Sequence, residues 1–280
     1  MSNTSSGTFP EFKGNGPAGV VSTFGSYLGR PCENIYVVNS GTGTVSVLSQ
    51  SLVGIFGTVT VPVGRTPTAI AIDPKGRKVY VANSASDTVS VIDITQDNNG
   101  NVKNKVIATI RVGNNPSAVA ASANLVFVAN TGGRTVSVID PNTNTVVGNI
   151  PVGLALADHP AGLAVNGKFL YVALAESNSV EKIEVDHLNV KDIHVKVEFI
   201  DLGDQSPTGV GVTPDGQYLY VTSTGSNTVS VIQTATNAVT QTFSVAGSPF
   251  GVAVNPATGL GYITDLSGNT VTVIGPKPAQ

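Results

Sequence analysis

The sequence predicts an all-β chain folded as a six-bladed β-propeller of four-stranded antiparallel blades, and three observations predict it. A block of the form Tyr-Val-x-Asn, a few small polar residues, then Thr-Val-Ser-Val-Ile returns six times, from Tyr36, Tyr80, Phe127, Tyr171, Tyr220 and Tyr262. Ahead of each block stands a segment opened by proline, at Pro17, Pro67, Pro116, Pro160, Pro207 and Pro249, so successive copies lie 50, 49, 44, 47 and 42 residues apart. That period matches one four-stranded propeller blade. Finally, only 12% of the 280 residues are charged while 41% are hydrophobic. The charged share is about half the usual one, so the strands must be covered on both faces.

The first strand of each copy follows its proline, which sits where no ladder donor is lost. Two residues on stand Gly19, Ala69, Ala118, Gly162, Gly209 and Gly251, and two further on Val21, Ala71, Ala120, Ala164, Gly211 and Ala253. Side chains at i and i+2 share one strand face. That face is nearly bare in every copy, as crowding of the innermost strands around a central axis requires. Turns such as DPKG (Asp73 to Gly76) and TPDG (Thr213 to Gly216) have proline at the first central position of a type I turn and lead into the second strand, the Tyr-Val segment. The third strand is the Thr-Val-Ser-Val-Ile run, uncharged on both faces in most copies, which predicts burial on both sides. The fourth ends in Val-Gly or a close variant, at Gly64, Gly113, Gly153, Gly203 and Gly247.

The last copy has no fourth strand of its own, since only GPKPAQ follows Ile274. The segment from Phe9 to Pro17 aligns with Ile110 to Pro116, which predicts that residues 8–13 complete the sixth blade and remove its exposed edge. A single domain over residues 1–280 follows, with blades at about 17–66, 67–115, 116–159, 160–206, 207–248, and 249–275 plus 8–13.

The Tyr-Val-x-Asn…Thr-Val-Ser-Val-Ile-Asp signature resembles that of the YVTN family of β-propeller repeats over about residues 17–275. Asp93 and Asp140 complete the signature, whereas Gln233 and Gly275 depart from it. The resemblance implies a propeller and, from the family's occurrence in archaeal surface-layer and bacterial exported proteins, a setting outside the cell. Lactonase-like propellers, the gluconolactonase group and virginiamycin B lyase share the broad fold, but borrowing their activities would be analogy by fold.

A net charge of −3 without a Lys/Arg cluster argues against nucleic acid as a partner. No apolar run approaches the roughly 18 residues of a membrane helix, so no membrane insertion is expected. The start, MSNTSSGTFP, lacks the basic and apolar regions of a signal peptide; a cytoplasmic location stays open beside the extracellular or cell-surface one. A monomer that binds a protein or small-molecule ligand is expected. Cys32 stands alone, which excludes an internal disulfide, and has no neighbouring histidine to activate it.

Chemistry in a propeller gathers where the loops between second and third strands meet the loops entering each blade. The second strands end in Asn39, Asn83, Asn130, Leu174, Ser223 and Asp265. Asparagine suits tight turns because its side chain bonds nearby backbone, which favours a scaffold role over a polar ligand-binding ring. Asymmetry marks blades three, four and six: Arg134 in one loop, Asp158 and His159 before Pro160, Glu176 in the next loop, and Asp265 in place of asparagine. His159, Glu176 and Asp265 form a weak candidate set for a divalent cation or acid/base work, without a compact ligand motif. His187 and His194 fall in the insert from Val185 to Phe199, whose outer strand has one charged face, and Ile94 to Lys105 reads as a long polar hairpin.

No nucleophile elbow, dinucleotide fingerprint or P-loop occurs, and no catalytic residue or cofactor is assigned. The leading expectation is a non-catalytic scaffold or binding module; the alternative is a metal-assisted lactonase or lyase at the channel mouth. A third reading is a repeat domain of a larger surface protein. Removal of residues 1–14 is expected to lower the melting temperature sharply; an unchanged melt would rule out closure by the N-terminal strand.

Overall fold

Every proline-led segment opens a strand in the computed structural model, which describes residues 16–27, 30–51, 54–97, 101–153, 158–185, 196–203, 205–245 and 247–275. Blade 1 comprises β1 (Pro17–Tyr27), β2 (Arg30–Asn39), β3 (Thr44–Ser51) and β4 (Gly54–Pro62). Blade 2 comprises β5 (Pro67–Ile72), β6 (Lys78–Asn83), β7 (Thr88–Asp93) and β8 (Lys105–Arg111). Blade 3 is β9 (Pro116–Ala121), β10 (Val126–Asn130), β11 (Thr135–Asp140) and β12 (Thr145–Pro151). Blade 4 is β13 (Pro160–Asn166), β14 (Phe169–Leu174), β15 (Ser179–Glu184) and β16 (Val197–Asp201). Blade 5 follows as β17 (Pro207–Val212), β18 (Tyr218–Ser223), β19 (Thr228–Gln233) and β20 (Ala238–Ser244). Blade 6 has β21 (Pro249–Val254), β22 (Gly261–Asp265) and β23 (Thr270–Ile274). Strands pair antiparallel with their sequence neighbours throughout. The chain is thus a six-bladed all-β propeller; residues 8–13, expected to complete blade 6, lie outside the described residues.

Among the described residues the blades join through five apolar seams. In each, the Tyr/Val face of one blade lies on the Val/Ile face of the next: Tyr36, Val45 and Val47 pack on Val79, Val81 and Ile92, and Tyr80, Val89 and Val91 on Val126, Val128 and Ile139. The same pattern joins blades 3 and 4, 4 and 5, and 5 and 6. Burying one such side chain contributes about 1.5–3 kcal/mol, so the seams carry much of the stability. The expected cover of the third strand on both faces holds in blades 1 to 5.

Two separate contacts explain the bare face of the first strand. The residue four past the proline sits across from the blade's aromatic, with Ala71 opposite Tyr80, Ala120 opposite Phe127 and Gly211 opposite Tyr220; a small side chain there leaves the ring its place. The residue two past the proline meets the next blade's backbone. A Cβ on Gly162 would stand 2.3 Å from the Thr208 carbonyl oxygen, and one on Gly209 2.2 Å from that of Phe250. Hydroxyls add ties between adjacent blades, from Thr68 to the Pro116 carbonyl at 3.0 Å and from Thr222 to the Phe250 carbonyl at 2.8 Å.

The hairpin after β7 is less polar than expected. Ile94 is buried, and both it and Val102 pack into the seam between blades 1 and 2, while Asp93 pairs with Lys103 at 3.2 Å on the outside. Of the blade-four insert, Val185 and Val197 join the seam between blades 3 and 4; His187 and His194 lie outside the described residues.

Gly209→Ala is expected to destabilise the fold by about 1–3 kcal/mol through overpacking against fixed backbone. Gly251→Ala, whose Cβ would meet only the Thr264 hydroxyl at 3.0 Å, should cost less. Urea denaturation of both variants measures the difference.

Candidate functional site at the loop face

The loops after each second strand bond those entering the same blade. Backbone N–H groups of Ser40, Ser84, Thr131, Thr224 and Leu266 donate to the carbonyls of Gly16, Thr66, Asn115, Ser206 and Ser248 at 2.9–3.2 Å. Side chains then lock two of these loops to the segment entering the next blade: Asp87 Oδ1 accepts from Asn115 N at 2.8 Å, and Asn178 Oδ1 from Ser206 N at 2.9 Å. The two sets of loops therefore share one face, and the candidate residues sit within it.

Asn39, Asn83 and Asn130 occupy equivalent places, but not as turn residues. Asn83 and Asn130 have φ of −110° and −104°, and all three side chains are buried. Their amides donate inward to the third strand: Asn39 to Thr44 and Ser46, Asn83 to Thr88 and Ser90, and Asn130 to Thr135 and Ser137, all at 2.9–3.2 Å. The left-handed position falls instead on the last loop residue, at Gly43, Asp87, Arg134, Asn178, Asn227 and Asn269. Arg134, with φ 50°, lends its carbonyl to Val152 N at 3.1 Å, so a backbone role places it there.

The asparagine also explains the Val-Gly ending. Gly64 N donates to Asn83 Oδ1 at 3.1 Å, and a Cβ on Gly64 or Gly113 would lie 2.6 Å from the Asn83 or Asn130 side chain. Only glycine lets the end of one blade lie on the next blade's amide.

Blade 4 rebuilds this joint with different residues. Leu174 cannot accept the Gly153 N–H, and Glu181, standing where other blades have serine or threonine, takes it at 2.8 Å. Glu181 is buried and its Oε2 has no hydrogen-bond partner. Burial raises its pKa above the ordinary 4.5, and the nearby Asp158 carboxylate raises it further, while the Gly153 bond lowers it. Asp158 is itself buried, close enough to Gly153 that a Cβ there would stand 2.3 Å from its own. Glu181 and the adjacent Lys182 are residues that sequence reasoning passed over; the departure of Ser-Val-Glu-Lys-Ile from Thr-Val-Ser-Val-Ile, coupled to the loss of asparagine at 174, was the available signal. Lys182 is buried too, donating to Thr234 O at 2.8 Å and Asn237 Oδ1 at 3.1 Å, with Glu198 at 3.4 Å. The amide of Asn237 and the ammonium groups of Lys196 and Lys182 hold Glu198 down to about 2.

Of the candidate set, His159 and Glu176 meet and Asp265 stands apart. Glu176 Oε2 accepts from His159 N at 3.1 Å, and the His159 ring Nδ1 lies 2.7 Å from the Thr131 carbonyl. The same kind of bond in blade 6 runs from Ser248 N to Ser267 Oγ at 2.9 Å. Asp265, two blades away, is buried and accepts from Gly268 N at 2.9 Å. Among the described residues, no group of three or more His, Cys, Asp or Glu could hold a metal ion, so the three do not form one constellation. The Cys32 side chain lies outside the described residues.

Fold and loop face together define a β-propeller, and comparison with known proteins agrees at that level. No family model matches the chain. Over 121 residues it is 35% identical to a seven-bladed β-propeller protein of Mycobacterium tuberculosis, a stretch covering 41% of this chain and 28% of that protein. Among solved structures it is similar to the periplasmic gluconolactonase of Pseudomonas aeruginosa, with a TM-score of 0.70, 18% identity and 94% and 82% of the two chains covered. It is also similar to a protein of unknown function from Desulfotomaculum acetoxidans, with a TM-score of 0.69, 17% identity and 91% and 82% covered. At such identity the structural likenesses speak to the fold alone.

Because Glu181 binds its proton more tightly in the folded than in the unfolded chain, its contribution to stability falls as pH rises from 4.5 toward the raised value. Glu181→Gln keeps an acceptor for Gly153 without the charge. It is expected to be more stable than the parent above that window, with the gap closing as pH falls through 4.5. Urea melts of both proteins at about pH 4 and about pH 8 measure it.

Proposed function

We propose that the chain is a non-catalytic binding module: a propeller of YVTN-type repeats that presents its loop face to a ligand, in an exported or cell-surface setting. The observation that carries this reading is the use already made of the reactive groups. Glu176 accepts a backbone N–H, the His159 ring meets a backbone carbonyl and Asp265 accepts another N–H. Each holds loops in place, and a side chain so engaged is poorly disposed to transfer protons. The loop face otherwise offers hydroxyls, amides, backbone and a few charged side chains such as Arg65 and Asp87, which suit recognition by hydrogen bonding. The extracellular setting rests on the repeat's resemblance and the low charge.

The competing reading is a metal-assisted lactonase. It draws on the likeness to the Pseudomonas gluconolactonase and on the unpartnered Glu181 oxygen. Chelator-treated protein titrated calorimetrically with Ca²⁺, Mn²⁺ and Zn²⁺, then assayed on gluconolactone, separates the two. We expect no stoichiometric metal uptake and no hydrolysis above buffer. Metal-dependent hydrolysis that disappears in both His159→Ala and Glu176→Ala would overturn the binding-module reading.

A further inference from the structure

Blade 4 loses a hydrogen-bond donor and gains a carboxylate at the same joint. In blades 1 to 3 the asparagine that ends the second strand donates to a serine of the third strand, at Ser46, Ser90 and Ser137. In blade 4 Leu174 has no amide to donate, and Glu181 stands where that serine would be. One oxygen of Glu181 accepts from Gly153 N at 2.8 Å. The other is buried and has no hydrogen-bond partner among the described residues.

Asp158 takes the other side of the same glycine. A Cβ on Gly153 would lie 3.0 Å from Asp158 Oδ2, in the place where Gly64 and Gly113 meet an asparagine side chain. Two buried carboxylates therefore flank one residue, where the end of blade 3 lies on blade 4. A buried oxygen without a donor is unfavourable, and a buried charge without a counter-charge more so. A proton on Glu181 relieves both, since it neutralises the group and turns the orphaned oxygen into a donor.

The surrounding elements supply no neutralising partner from their strands. β12, β13 and β14 carry no charged residue, and β11 has only Asp140, at the end away from the loop face. On β16, Asp201 shares the face of Glu181 and adds a negative charge. Lys182 and Glu198 pair on the opposite face, where Lys182 bonds blade 5 through Thr234. In the loops, Glu176 and His159 bond backbone, and Arg134 stands beside the end of β12, its carbonyl holding Val152 N.

We propose that this joint is a proton-operated latch: a proton on Glu181 holds the end of β12 against blade 4, and its loss to solvent releases that end. Asp158 directly precedes His159, so the release extends to the entry of blade 4 on the loop face. Burial first, and then the Asp158 carboxylate, raise the pKa of Glu181 above 4.5 against the lowering effect of the Gly153 bond. The latch is thus shut at acid pH and loosens as pH rises through the raised value. The amides that meet Gly64 and Gly113 do not titrate, so those two joints serve as controls within the same molecule.

Residue-resolved amide exchange of the full chain, expressed as protection factors at about pH 4 and about pH 8, tests the latch. We expect protection at Gly153 to fall about tenfold further than at Gly64 and Gly113 across that range. Glu181→Gln should abolish the difference, and Asp158→Asn, which leaves Glu181 in place, should shrink it. Circular dichroism melts report whether each variant folds, and the comparison of the three glycines in the parent chain stands without them. Equal changes at all three glycines would mean a loss spread over the whole fold and overturn the proposal. A Gly153 difference that persists in Glu181→Gln overturns it too.

Discussion

The seam between consecutive blades is the constraint on which the molecule depends. A single blade cannot bury its own Tyr/Val face; it does so only against the Val/Ile face of the next. Once that docking is required, the rest follows in order. The aromatic needs a small residue across from it, which explains Ala71, Ala120 and Gly211. Close approach of the first strands then requires Gly162 and Gly209 to lack a Cβ. Each blade's end must lie on the next blade's amide, which explains Gly64 against Asn83 and Gly113 against Asn130.

The polar residues of the loop face serve the same seams. In blades 1 to 3 the asparagines are buried linkers between strands, and in blade 2 one also holds the preceding blade through Gly64. Blade 4 reaches the same end through a carboxylate and so places two acidic groups, Asp158 and Glu181, in a buried joint. That joint places carboxylates where blades 1 to 3 keep neutral amides, and its cost depends on protonation. Residues that look reactive in isolation are therefore the fastenings of the ring, which is why their chemistry is directed at backbone.

Much of the fold was legible because a repeat presents the same experiment several times over. Six opening prolines, six aromatic-led second strands and six small-residue positions leave few alternatives for the order of strands, and a strand begins at each opening proline. The site was less legible. Asn83 and Asn130 look like turn residues, yet they are extended and buried, and the left-handed geometry sits further along the loop on Asp87 and Arg134. Glu181 and Lys182 look like ordinary strand charges, yet both are buried. Nothing local distinguishes a carboxylate pointing to solvent from one that replaces an asparagine of the adjacent strand.

By itself the sequence determined the number of blades, the order of strands within each, and which face of each strand is apolar. These depend on alternation along a strand and on spacing between copies, both of which are local. Tertiary structure alone decided how the candidate residues are used: that His159 and Glu176 meet while Asp265 stands apart, and that Glu181 inherits the role of an absent asparagine. Those outcomes depend on contacts between residues far apart in the chain, whose geometry is set by how one blade docks on another.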